Sequence, residues 1–116
     1  MRHRKKRFKL ARTKDQRRAL LRSLISSVIL KEKIITTEAK AKKLKPFLEK
    51  SISKAKNDNL ANRRLLLKDF SLKVVEKLMK EIGPRYKDKP GGYSRIIKIN
   101  PRKTDSAKLA ILELIK

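Results

Sequence analysis

Apolar residues recur at helical spacing in four stretches of this chain, and three short β-branched or aliphatic runs stand between or after them. Leu20, Leu21, Leu24, Ile25, Val28 and Ile29 make one stripe of a helix that reaches about Lys31. Thr13 is its predicted cap. Gln16, three residues on, completes a capping-box pattern, and Asp15 suits the positive helix start. Lys33–Thr37 is β-branched and predicts a strand. Thr36 or Thr37 then caps a second helix, marked by Ala41, Leu44, Leu48, Ile52 and Ala55. Pro46 lies inside that pattern and predicts one kinked helix. Residues 57–59 form a turn. A third helix over 60–70 offers Leu60, Leu66, Leu67 and Phe70 to the core. Ser71 caps a fourth, with Leu72, Val75, Leu78, Met79 and Ile82 on one face, and Gly83-Pro84 is read as its stop. Residues 95–99 and 108–115 read as two strands of a hairpin around a turn at 100–106, and Ile34-Ile35 adds a third strand.

This order predicts an α/β (α+β) fold in two layers: helix, strand, three helices, two strands. A small three-stranded mixed sheet packs on the helices. The expected division is a basic extended arm over residues 1–12 and a single globular domain over 13–116. A chain of 116 residues buries roughly two-thirds of its unfolded surface, enough for a real core.

Charge changes the picture. Lys and Arg number 35 against 11 acids, a formal net charge of +24. Half of the first 22 residues are Lys or Arg, with Asp15 the only acid among them. Such a segment cannot be buried, because an unpaired cation in a core costs several kcal/mol. It calls for a polyanion. Stretched out, residues 1–12 would reach about 40 Å at ~3.3–3.6 Å per residue. Phe8 and Leu10 either tack the arm to its own domain or insert among bases or against a neighbouring protein. There is no cysteine, which excludes disulfides, thiolate chemistry and Cys-based zinc sites. The apolar run at 23–30 is far short of the ~20 residues a membrane span needs. A basic start followed by apolar residues resembles an export signal, but Arg22 interrupts it and no small-x-small cleavage site follows. A soluble protein without such a signal is expected.

No catalytic constellation stands out. His3 is the only histidine and has no identifiable acid or nucleophile partner; a phosphate or base contact suits it better. No phosphate-binding loop and no metal cluster at ligand spacing is present, so neither catalysis, cofactor nor metal is expected. Residues 85–95 hold two of the three glycines, both tyrosines and four cations. Tyrosine and arginine can stack on unpaired bases, and glycine permits close backbone approach, so this loop is a candidate RNA contact. The alternative for it is a plain loop with half-buried tyrosines. Lys40, Lys42, Lys43 and Lys45 form a solvated face or, alternatively, touch ribose-phosphate. Composition alone leaves RNA and DNA undivided. A DNA-compacting, nucleoid-associated protein is the alternative reading, although no helix sustains a heptad seam for dimerisation. A membrane-surface helix would want exposed Trp or Phe beside the cations; Trp is absent, and the apolar stripe of the first helix is better used in a core.

One resemblance covers the chain from end to end. It is carried by Met1-Arg2-His3-Arg4-Lys5, Leu10, Arg12-Thr13, Arg17 and Ala19-Leu20-Leu21-Arg22. It continues through Thr36-Thr37-Glu38-Ala39-Lys40-Ala41-Lys42, Pro84-Arg85-Tyr86, Gly91-Gly92-Tyr93-Ser94-Arg95-Ile96, Asp105, Ala110 and Glu113-Leu114. In order and spacing this set resembles the bacterial and organellar large-subunit ribosomal protein L-seventeen family. Arg7 and Ala11 stand where family arms often have glycine, and Gln16 where a histidine is common. The resemblance implies the same two-layer fold. It also implies a structural constituent of the large ribosomal subunit in the cytoplasm, with neighbouring ribosomal proteins toward the exit-tunnel side and no small-molecule substrate. RNA contacts are then expected from the arm (Arg2, His3, Arg4, Lys5, Lys6, Arg7, Lys9, Arg12), from the start of the first helix (Arg17, Arg18, Arg22), and from the loop (Arg85, Tyr86, Gly91, Gly92, Tyr93, Arg95). Charge reversal at Arg85 should then weaken subunit incorporation and barely touch stability.

Overall fold

The computed structural model describes residues 14–115. The Thr13 cap and the arm contacts expected at Arg2, His3, Arg4, Lys5, Lys6, Arg7, Lys9 and Arg12 lie outside the described residues. Helix α1 spans Lys14–Lys31, with Ile25, Val28 and Ile29 buried. Leu20 is half-buried, and Leu21 and Leu24 pack against the edge of the core. Glu32 ends the helix with a positive φ of 67°, and its N–H donates back to the Val28 carbonyl. The chain turns directly into strand β1 (Lys33–Thr37).

Thr37 caps helix α2 (Glu38–Lys56), its hydroxyl accepting from the Lys40 N–H. Pro46 removes one backbone donor, yet α2 remains a single helix across it. Leu44 and Leu48 on either side are fully buried in register. Each fully buried aliphatic side chain contributes ~1.5–3 kcal/mol, which offsets the local cost of the proline. Asn59 caps helix α3 (Leu60–Asp69) through a 2.8 Å bond from the Asn62 N–H. Helix α4 (Leu72–Lys77) follows. Ser71 stands at its N-cap without a side-chain cap bond.

Three expected core positions face solvent instead. Leu60 is 61% exposed and Leu72 59%, and Leu67 is exposed as well. Leu60 and Leu72 open their helices, where the first residue overhangs the layer beneath. Val74 takes the buried place beside Val75.

Gly83-Pro84 does not stop the fourth helix. A π-helical turn, Leu78–Ile82, continues it into a short helix α5 (Gly83–Arg85). Gly83 keeps a helical φ of −53°. Glycine is needed there because a Cβ would stand 2.5 Å from the Ala55 carbonyl oxygen of α2. Pro84 is tolerated near a helix start, where a missing N–H is least costly.

Strands β2 (Ser94–Ile99) and β3 (Leu109–Leu114) complete a three-stranded sheet of order β1-β3-β2. Both ladders are antiparallel, with Ile35 and Ile97 each opposite Ile111. The sheet is therefore antiparallel throughout and not mixed. β1 and β2 do run the same way, but β3 lies between them, so no parallel pair forms. β3 suits the central place: Ala110, Leu112 and Leu114 are buried on one face, while Leu109 and Ile111 cover the other. The edges carry Lys33, Arg95 and Lys98, charges that discourage further strand pairing. The helices cover one face of the sheet, and Ile34 and Ile96 join the core from it.

Candidate nucleic-acid interface

The residues that the sequence singles out divide into two sets. In the loop of residues 86–93 the tyrosines are core side chains. Tyr86 and Tyr93 are 3% and 1% exposed, with ring centroids 5.2 Å apart. The Tyr86 hydroxyl donates to the Ile115 carbonyl. Lys56 donates to the Tyr93 hydroxyl at 2.8 Å and to the Lys89 carbonyl. The hydrogen bond from Lys56 holds the Tyr93 phenol below its ordinary pKa. Rings placed in this way are not available to stack on bases, so the stacking role expected of both tyrosines is corrected. They anchor the loop to α2 and to the chain end after β3.

Arg85 is likewise committed. It donates to Glu32, whose carboxylate also faces Lys77 at 3.7 Å. The bond to Glu32 raises the guanidinium pKa above its usual value. Glu32 thus ties the end of α1 to α4 and α5, and its backbone carbonyl accepts from Leu114 at 2.9 Å. Arg95 pairs with Glu113 across the β2–β3 ladder at 2.5 Å, yet its side chain stays largely in solvent. Gly91 and Gly92 border open space, where an added Cβ would touch nothing within 4 Å. Gly92 has a φ of 66°, the left-handed region that glycine enters without strain.

The start of α1 meets a different environment. Lys14, Arg17, Arg18 and Arg22 line one wall of an open groove of about 600 Å³ between α1, α2 and α3. α2 contributes Lys43, Lys50 and Lys54, and α3 contributes Lys68. Among the described residues, Asp69 is the only carboxylate in the lining, and Arg22 pairs with it at 2.8 Å. Leu21, Ile25 and Phe70 form an apolar floor. Among the described residues, no carboxylate forms a salt bridge with Arg17, Arg18, Lys43, Lys50, Lys54 or Lys68. Among the described residues, five of the ten other acids form salt bridges elsewhere: Glu32 with Lys77 and Arg85, Glu38 with Lys42 and Lys98, Asp58 with Arg63, Glu113 with Arg95, and Asp105 with Arg102. Local pairing therefore leaves net positive charge concentrated in the groove. A cleft lined by one sign of charge focuses that field.

The family resemblance implies RNA contacts from Arg17, Arg18 and Arg22, and the structure brings these three together in the lining of one groove. Lys43, read from sequence as part of a solvated face or alternatively as a ribose-phosphate contact, lines the same groove. Lys50, Lys54, Lys68 and Phe47 escape the sequence reading. Their signal is nonetheless present: Lys43, Phe47, Lys50 and Lys54 fall at i, i+4, i+7 and i+11, one stripe of α2 flanking its buried residues. What the sequence does not show is that α1 and α3 stand on either side of that stripe. No group of three or more His, Cys, Asp or Glu able to hold a metal occurs among the described residues. No helix in them is long and apolar enough to cross a membrane.

Comparison of the sequence with known proteins places the chain in a family. The family model described as Ribosomal protein L17 matches residues 20–115. A "Large ribosomal subunit protein bL17" from Carboxydothermus hydrogenoformans is 52% identical over 109 residues, covering 93% of this chain and 97% of that protein. One of the same name from Gemmatimonas aurantiaca is 50% identical over 116 residues, with 99% and 98% covered. One from Staphylococcus carnosus is 43% identical over 118 residues, with 92% and 97% covered. Matched by that family model over residues 20–115 and by relatives along nearly its whole length, the chain belongs to the Ribosomal protein L17 family.

Proposed function

We propose that the chain is a structural, non-catalytic constituent of the large ribosomal subunit, binding and stabilising large-subunit rRNA during assembly. The observation that supports this most is the α1–α2–α3 groove, with eight cations and one carboxylate in its lining. A duplex or folded RNA presents closely spaced phosphates, and each one neutralised releases counterions. Arg17 and Arg18 supply planar forks suited to phosphate oxygens, while the lysines act as point charges. The N-terminal cations Arg2, Arg4, Lys5, Lys6, Arg7, Lys9 and Arg12, with His3, extend that surface in sequence. Gly91 and Gly92 give RNA backbone an unobstructed approach, and Arg95 is open enough to join it. Other ribosomal proteins adjoin the chain, toward the exit-tunnel side of a cytoplasmic ribosome. The DNA-compacting alternative gains nothing from the family relationship.

Sucrose-gradient sedimentation of a lysate, with and without a high-salt wash, tests this reading. Salt-resistant co-migration with large subunits is the expected result. Release at moderate salt, or migration with DNA, contradicts it.

A further inference from the structure

Phe47 lies outside the buried core. It lies in the middle of α2's cationic stripe and is 41% exposed, although α2 buries six other residues against the core. Lys43 Nζ lies 5.7 Å and Lys50 Nζ 5.9 Å from the centre of its ring. The aromatic ring therefore lines the groove with two ammonium groups within 6 Å of its centre, and Leu21, Ile25 and Phe70 line the same groove. An apolar ring in open water is unremarkable alone. One flanked by cations and facing Arg17 and Arg18 across a groove fits a ligand with both a flat apolar face and negative charge.

We propose that the groove is a nucleotide subsite for unpaired RNA, in which one base lies on the Phe47 ring while the cations around it hold the flanking phosphates. The proposal rests on the rRNA-binding reading above and adds to it what kind of RNA the groove takes. Charge complementarity selects the occupant. Residues 1–13 carry seven cations and no acid, so this segment is a poor match for a cationic groove. An acidic peptide would satisfy the charges but brings no regularly placed flat face to lie on the ring. A duplex satisfies the charges but keeps its bases stacked on each other. A bulged or single-stranded nucleotide satisfies both, because stacking on an aromatic side chain replaces the stacking it lacks.

The chain has no tryptophan, so Phe47→Trp places a single indole in the groove. Its fluorescence is titrated with single-stranded poly(A) RNA, with an RNA duplex of equal length, and with heparin, a polyanion without bases. The proposal expects strong quenching by the single strand and little by duplex or heparin. Equal quenching by heparin, or none by any of the three, overturns it in favour of a surface for polyanions or acidic segments. In parallel, Phe47→Leu keeps the apolar bulk and removes the aromatic face. With the fold checked by circular dichroism, it should weaken binding to the single strand roughly 5- to 150-fold and leave the salt dependence unchanged. If Phe47→Leu binds as the parent does while Lys50→Gln weakens binding, the base subsite falls and the rRNA reading stands. If neither variant nor deletion of residues 1–12 alters rRNA binding, the rRNA reading falls as well.

Discussion

At the residue scale, the informative positions are those whose chemistry serves a role other than the one their type suggests. Gly83 is helical, and its missing side chain makes room for the Ala55 carbonyl. Gly83→Ala should therefore destabilise the domain by about 1–3 kcal/mol, the usual cost of overpacking, read as a lower urea midpoint. Ordinary helix propensity would give the opposite sign. The family resemblance implies that Arg85 faces RNA. Its bond to Glu32 makes it a brace between α1 and α5, so Arg85→Glu sets two carboxylates against each other. A loss on the order of 1 kcal/mol is expected in chemical denaturation, whereas an RNA-only role predicts an unchanged midpoint. Arg85 looks like a ligand contact in sequence because its partner is 53 residues away. Tyr86 and Tyr93 mislead for the same reason: a Gly-rich loop suggests exposure, and only the position of Lys56 and of the chain end reveals that the phenols are satisfied inside.

At the element scale, what was periodic was legible. β1 has the bounds that its β-branched run predicts, and α2 keeps its helical stripe through Pro46. Leu60, Leu67 and Leu72 mislead because hydrophobicity marks a helix face without showing where the layer below it ends. The π turn at Leu78–Ile82 left no mark beyond the Gly-Pro pair, which also fits a helix stop. On α1, burial grades the stripe: Val28 is fully enclosed, and Leu24 sits at the core's margin. From sequence, Leu24→Asp is the obvious core-breaking change. Val28→Asp should unfold the domain at 25 °C, since it buries an unpaired carboxylate, while Leu24→Asp should lower stability and leave a folded protein, as read by circular dichroism. At the start of α2, Glu38 is held below the ordinary carboxylate pKa, first by its hydrogen bond from Lys42 and then by the charges of Lys42 and Lys98. A depressed folded-state pKa contributes stability above the unfolded value, and that contribution is lost as pH falls through the folded one. The stability gap between the parent and Glu38→Gln should accordingly be widest near neutral pH and close in acid.

At the scale of the whole molecule, sequence composition indicates a polyanionic partner but not the surface that meets it. Charge is spread along nearly every helix; folding decides which cations are neutralised. Among the described residues, acids engage Arg22, Lys42, Arg63, Lys77, Arg85, Arg95, Lys98 and Arg102, and cations of three helices that make no such pair converge on one groove. The most direct measurement is the salt dependence of rRNA affinity for two full-length variants. One replaces Arg17, Arg18, Lys50 and Lys54 by glutamine; the other replaces Lys87, Lys89 and Arg95. If the groove is the body's main RNA surface, the first variant lowers the slope of log K against log salt by about 0.7–0.9 for each phosphate it no longer neutralises, and the second changes it little. An unchanged slope in the groove variant, with a reduced one in the loop variant, would contradict the account and return the interface to residues 85–95.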